Sequence, residues 1–228
     1  CPGPLTFILK LKKNSKISKF VTNNKTTLAV RFPSHPKAKN LLKILNYPLA
    51  APSANISSRV SPVTRNHVKE DFGKKLKYII EGGLSKIGLE STIINLTGRP
   101  EILRIGGIDI NELSKALKIK LIYRKKTYMK VPGQNRLHYS PGIPLRMNCK
   151  KASLDEAFIL VKKRNNSNKN FFYLSKKKNL KEAARNLYSV LRIIKKKGYK
   201  KIAVEKIENK GIGLAINDRL QKASKKNK

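Results

Sequence analysis

A succession of short apolar runs, each about as long as a single strand, constrains this chain more than any other feature. "PLTFILKL" (4–11), "TTLAVRF" (26–32), "STIINLTG" (91–98) and "EILRIGG" (101–107) are rich in β-branched residues and end at Pro, Gly or polar turns. "AFILVKK" (157–163), "FFYLS" (171–175) and "KKIAVEKI" (200–207) repeat the pattern further on. Between them lie segments with helical spacing. In "SHPKAKNLLKILN" (34–46), Ala38, Leu41, Leu42 and Leu45 share a face, with Ser34 as the expected cap. "SPVTRNHVKEDFG" reads as a short helix closed by Gly73. "DINELSKALK" has Asp109 as its expected N-cap and Ile110, Leu113 and Leu117 as its apolar set. "NLKEAARNLYSVLRIIKKKG" is an amphipathic helix closed by Gly198, and "GIGLAINDRLQKA" is a glycine turn entering a last helix. Strands alternating with helices predict an α/β protein. "YPLAAP" (47–52) is expected as a short buried strand and "LKYIIEGG" (76–83) as a further strand.

The order of elements predicts three regions. Residues 1–118 form a first domain, and 119–148, rich in Pro and Gly, an extended linker. Residues 149–228 form a smaller βαβ-type unit. At 228 residues the chain can bury a sizeable core in one large domain or two modest ones. No apolar run reaches the roughly 18 residues needed to span a bilayer, so no membrane role is expected. Two cysteines, Cys1 and Cys149, show neither metal-ligand spacing nor a disulfide framework, and a reduced, cytoplasmic setting is expected.

Lys and Arg number 52 against 13 Asp and Glu, a net charge of +39. Such an excess suits a polyanion such as RNA. Lysine is spread along the whole chain, however, which is what compositional bias also produces, and diffuse charge carries no sequence specificity.

Loops that follow strands are where α/β proteins place ligands. Here 51–58 ("APSANISS") and 85–92 ("SKIGLEST") carry neutral hydroxyls and amides. Arg31 and Arg104, each at a strand end, could supply planar charged forks for phosphate or carboxylate. The same residues also read as capped turns and solvated arginines, and spacing alone leaves both readings open. His35, His67 and His138 lie far apart without ligand spacing, and His67 is expected to be exposed. "GIGLA" is not a dinucleotide fingerprint.

Taken in order, "CPGPLT", "TLAVRFPSHP", "APSANISSRVSP", "IIEGG", "GLESTII", "ILRIGGI" and "HYSP" resemble the YrdC-like family. More closely, the chain resembles its two-domain threonylcarbamoyl-AMP synthases, whose C-terminal domain is similar to the tail from residue 183 on. The resemblance implies a mixed sheet with flanking helices, followed by a small α/β Rossmann-like domain. It implies a nucleotidyltransferase that turns L-threonine, bicarbonate and ATP, with Mg²⁺ accompanying ATP, into threonylcarbamoyl-adenylate and pyrophosphate. A downstream complex would pass the product to tRNA as threonylcarbamoyladenosine.

Position by position, the resemblance puts Thr27, Asn55, Val63, Arg104 and Tyr139 at ATP, and Arg31, Ser53 and Ser91 at threonine. Tyr139, within the 119–148 linker, is expected to fold over the site as a lid. Val63 stands where the family usually has Thr, so a hydroxyl contact to the nucleotide is expected to be lost or replaced by backbone. Ser58 stands where the family favours Gly. The family's Lys-x-Arg motif and an early threonine-contacting Thr have no counterpart here. The expectation is therefore that an N-terminal part of the catalytic domain is missing and that residues 1–228 alone are inactive. The alternative is a non-catalytic RNA-binding fragment.

Overall fold

The computed structural model describes residues 1–123, 131, 138–165 and 168–225. By contact, the chain divides into two compact units: 1–52 with 90–132, and 53–89 with 133–228. This grouping cuts across sequence order, because the serine-rich 53–63 turn and the helix after it belong with the C-terminal half. Residues 124–130 and 132–137 of the 119–148 linker lie outside the described residues.

The first unit is built on a five-stranded mixed sheet. Its strands are β1 (Leu5–Lys10), β2 (Thr27–Arg31), β3 (Thr92–Asn95), β4 (Glu101–Arg104) and β5 (Ile122–Tyr123), in the order β2-β1-β3-β4-β5. β1 pairs antiparallel with β2 and parallel with β3, and β3–β4 is antiparallel. β3 buries all four of its side chains, as its unbroken Thr-Ile-Ile-Asn run requires. Helix α1 (Lys19–Thr22) lies in the β1–β2 connection, α2 (Pro36–Ile44) follows β2, and α4 (Ile110–Leu117) follows β4. Asp109 caps α4 as expected, accepting from the amides of Asn111 (2.6 Å) and Glu112 (3.3 Å).

The second unit holds a four-stranded, wholly parallel sheet. Its strands are β6 (Leu145–Arg146), β7 (Glu156–Lys162), β8 (Phe171–Ser175) and β9 (Lys201–Val204), in the order β6-β9-β7-β8. Helices α3 (Arg65–Phe72), α5 (Leu180–Lys196) and α6 (Ile212–Ala223) complete it. The stripe of α5 (Ala183, Ala184, Leu187, Leu191, Ile194) meets Ile159, Leu174, Ile202 and Ile216 in one continuous core.

Several local expectations fail for physical reasons. Residues 47–52 are not a buried strand: Tyr47 is 62% and Leu49 48% exposed, and Pro48 and Pro52 remove the donors a ladder needs. Residues 76–83 alternate like a strand, but pair with none among the described residues and leave Tyr78 and Ile80 exposed. Helix α2 is capped by His35, not Ser34, with no side-chain hydrogen bond at the cap.

Candidate active site

At one end of the first unit's sheet, three expected or neighbouring residues form a fixed hydrogen-bonded set. Ser91 stands immediately before β3, and its Oγ lies 2.7 Å from Thr6 Oγ1 on the parallel β1. The Arg104 guanidinium, at the end of β4, donates through Nε to the Ser91 carbonyl (3.1 Å) and through Nη2 to Ser91 Oγ (3.0 Å). Arg104 is itself buried, so this fork is held in a low-dielectric setting where each hydrogen bond counts for more.

The backbone beside it is clasped shut. Gly107 N–H donates to Glu90 O at 2.9 Å. Thr92 Oγ1 both donates to Ile108 O and accepts from Ile108 N–H. A Cβ on Gly106 would lie 2.4 Å from Glu90 O, Ser91 C and Thr92 N, so only glycine lets "RIGG" close on "EST". Sequence reading picked out both motifs. It missed that one grips the other.

Arg31, exposed at the end of β2, sits directly across from Thr6. The structure thus brings Arg31, Ser91 and Arg104 to one end of the sheet, around Thr6. Thr27 lies four residues away on the same strand, opposite Lys10. At about 3.3 Å per residue that is roughly 13 Å from Arg31.

In the second unit, Asn55 Nδ2 donates to the Ile56 (2.8 Å) and Arg59 (3.3 Å) carbonyls and so holds the 55–59 turn. Its Oδ1 is buried with no hydrogen-bond partner among the described residues. An unpaired buried acceptor is costly, and a ligand donor would relieve that cost. Ser53 is exposed. Ser58 has φ +65°, the left-handed region where glycine is favoured, and its carbonyl accepts from Ser140 N–H at 2.9 Å. Val63 is buried beside Tyr139 in the core. The Val63 amide donates to His67 Nδ1 (3.3 Å).

His67 is therefore not the exposed residue expected. It is half-buried, and burial, followed by the nearby Arg192 charge, holds its pKa below the ordinary 6.5. Tyr139 packs inside this unit at 1% exposure. Its ring stacks on Tyr188 (5.8 Å, 15°), and the buried Arg219 guanidinium lies 4.9 Å over its face. Residues 124–130 and 132–137 of the expected lid lie outside the described set.

Two supports of this second group had no sequence signal. Arg192, on α5, makes a bidentate pair with Asp71 (2.9 and 2.7 Å) and also donates to Val60 O (2.7 Å). A Cβ on Gly88, at φ +77°, would lie 2.5 Å from Arg185 Cα, so the "KIGLE" loop lies against the backbone of α5.

A mixed five-stranded sheet carrying this serine–arginine set, with a parallel α/β unit following, matches two family descriptions. Residues 1–106 match the Sua5/YciO/YrdC family, described as telomere recombination, and 108–225 match the C-terminal domain of threonylcarbamoyl-AMP synthase. The chain is 36% identical to the threonylcarbamoyl-AMP synthase of Pyrococcus abyssi over 98% of its own length and 71% of the relative's. It is 34% identical to that of Schizosaccharomyces pombe and 30% to that of Bacillus subtilis, spanning 64% and 70% of those proteins. The crystal structure of P. abyssi Sua5 with L-threonine superposes with a TM-score of 0.84 at 34% identity, covering 98% of this chain and 71% of that one. A P. abyssi Sua5 variant with a histidine and a tyrosine both replaced by alanine superposes at 0.79. The chain belongs to the Sua5/YrdC family of threonylcarbamoyl-AMP synthases.

Proposed function

We propose that this chain carries the family's reaction: L-threonine, bicarbonate and ATP give L-threonylcarbamoyl-adenylate and pyrophosphate. The threonine amine loses a proton and adds to the carbon of bicarbonate, and water leaves. A carboxylate oxygen of the resulting N-carboxythreonine attacks the α-phosphorus, the Pα–O bond to the β-phosphate breaks, and pyrophosphate departs. The protein's contribution is alignment and neutral hydrogen bonding rather than acid–base chemistry.

Arg31 takes the threonine carboxylate as a bidentate fork, and Ser91, aimed by Thr6 and Arg104, is the neighbouring hydroxyl. The resemblance also puts Ser53 at threonine, and Thr27, Asn55, the Val63 backbone, Arg104 and Tyr139 at ATP. His138–Tyr139 is the chain's one adjacent histidine–tyrosine pair. Mg²⁺ enters with ATP, as part of the substrate. A tRNA-modifying step would place the protein in the cytoplasm, upstream of the complex that transfers the threonylcarbamoyl group.

The observation that carries this reading is the Thr6–Ser91–Arg104 set beside Arg31. Arg31→Ala should raise the threonine KM by about tenfold or more, the equivalent of one charged hydrogen bond of about 1.5–3 kcal/mol, with the ATP KM little changed. An unchanged threonine KM would remove Arg31 from the site. The charge of +39 favours a second reading, a non-catalytic RNA-binding protein. Tight tRNA binding with no threonine-dependent pyrophosphate release would select it.

A further inference from the structure

The parallel sheet of the second unit ends in a crevice of about 1130 Å³. We propose that this crevice is a binding site for an oligophosphate, either free or as part of a nucleotide.

The walls follow the carboxyl ends of all four parallel strands. Cys149 comes three residues after β6, Lys163 directly after β7, Lys178 three residues after β8, and Lys206 two residues after β9. In open parallel sheets that edge is where ligands bind, because every strand releases its chain there as an adaptable loop. Ligand pockets typically span about 300–1,000 Å³, so the crevice has room for a molecule of nucleotide size.

Six of the twelve lining residues are Lys or Arg, against 52 of 228 in the whole chain. The crevice is therefore about twice as cationic as the compositional background explains. Its one carboxylate, Glu205, is already engaged: Arg164 Nη2 donates to Oε1 (2.8 Å) and the Val161 amide to Oε2 (2.9 Å). Lys150, Lys162, Lys163 and Lys206 have no ion-pair partner among the described residues. Facing lysines repel one another in a concave wall, and a bound polyanion relieves that repulsion.

Phe171 lines the crevice half-buried and meets Phe158 edge-on at 5.8 Å, and the Arg164 guanidinium lies 5.8 Å above the Phe158 ring. The half-exposed Phe171 ring beside these cations can take a base while the cations take its phosphates. Among the described residues its lining includes no glycine, and side-chain cations hold the phosphates. Affinity should therefore fall steeply with added salt.

The test is a titration of the ¹⁵N-labelled full chain with tripolyphosphate, ATP and tRNA, read amide by amide. Saturable shifts at 148–150, 162–165 and 205–206 with tripolyphosphate or ATP are expected. Extra shifts near Phe171 with ATP alone would assign the nucleoside to the site, and equal shifts would assign the phosphates alone. Lys163→Glu with Lys206→Glu should weaken this binding at least tenfold, while Lys43→Glu with Lys115→Glu, the same charge change elsewhere, should not. Shifts scattered over exposed lysines everywhere, and equally affected by both variants, would overturn the proposal. So would shifts confined to 1–52 and 90–123. A crevice that responds to tRNA and to neither small ligand would also overturn it, in favour of an RNA surface.

Discussion

The two units share one lysine-rich composition but are held together differently. In the second unit, α5 buries Ala183, Ala184, Leu187, Tyr188, Val190, Leu191 and Ile194 against a parallel sheet. In the first, α2 also has a regular apolar spacing but fully buries none of its residues: Ala38, Leu42 and Leu45 are half-buried, and Ile44, off that stripe, is 79% exposed. The first unit relies instead on β3, on hydrogen bonds around Ser91 and Arg104, and on a backbone contact only glycine permits. The contrast teaches that one unit packs a long helix on its sheet, while the other adds to its buried strand residues (Ile8, Ile93, Ile94, Ile102, Leu103) a polar clasp at the candidate site.

The largest expected effect breaks the packed side. Arg192→Ala removes the fork from Asp71 and leaves a carboxylate only 8% exposed without its partner, at a cost of about 3–5 kcal/mol. Hydrogen exchange should rise in 53–89 and α5, with the first unit's strands protected as before. Uniform loss of protection would dissolve the distinction.

Next comes the clasp. Gly106→Ala forces a methyl group into backbone and should cost about 3 kcal/mol, within the range for overpacked sites. It should also abolish turnover, because Ser91 moves with its neighbours. Retained activity at unchanged stability would mean that "RIGG" and "EST" are not locked together.

Acid should weaken the packed unit in two steps. The Arg146 guanidinium, bonded through Nε at 2.8 Å, holds the Glu156 carboxyl down to about 2 from 4.5. A lowered carboxylate pKa adds stability above 4.5 that is lost as pH falls towards 2. His67 is held below 6.5 by burial and Arg192, with Glu70 and Asp71 opposing. Its neutral form is favoured by folding, so its contribution is present above 6.5 and begins to be lost as pH falls below that value. Urea unfolding followed against pH should show the earlier step vanish in His67→Gln.

The smallest effect is predicted for Ile44→Ser, on the solvent-facing side of α2. Stability should change by no more than about 0.5 kcal/mol, as for surface positions in general. A loss of several times that would mean the helix is packed after all.

Much of this was legible in the sequence. The strands at 5–10, 92–95, 156–162, 171–175 and 201–204 follow their apolar runs, and Asp109 caps the helix its position announces. Ser58 carries the positive φ that its place in a glycine-favouring turn suggested. What stayed hidden depends on partners remote in sequence. The tyrosine at 78 alternates correctly for a strand, but nothing in its own segment says whether a neighbour will pair with it. Arg192 looks like one more lysine-rich helix cation until α3 brings Asp71 to it. Gly106 and Gly88 are ordinary glycines until the opposing backbone is known. Ser91 and Arg104 could each be named as candidates, but the bond between them spans 13 residues and two strands.

The central claim is that the Ser91–Arg104 pair positions the threonine-handling end of the sheet. The direct measurement is pyrophosphate release from ATP, dependent on both L-threonine and bicarbonate, comparing the parent protein with Arg104→Lys. A lysine keeps the charge but cannot hold the Ser91 carbonyl and Oγ together as the fork does. The account predicts a fall of about 100-fold or more in kcat/KM for threonine, the usual loss for one preorganised polar contact, with folding intact by circular dichroism. Parent-like kcat/KM in Arg104→Lys would contradict it.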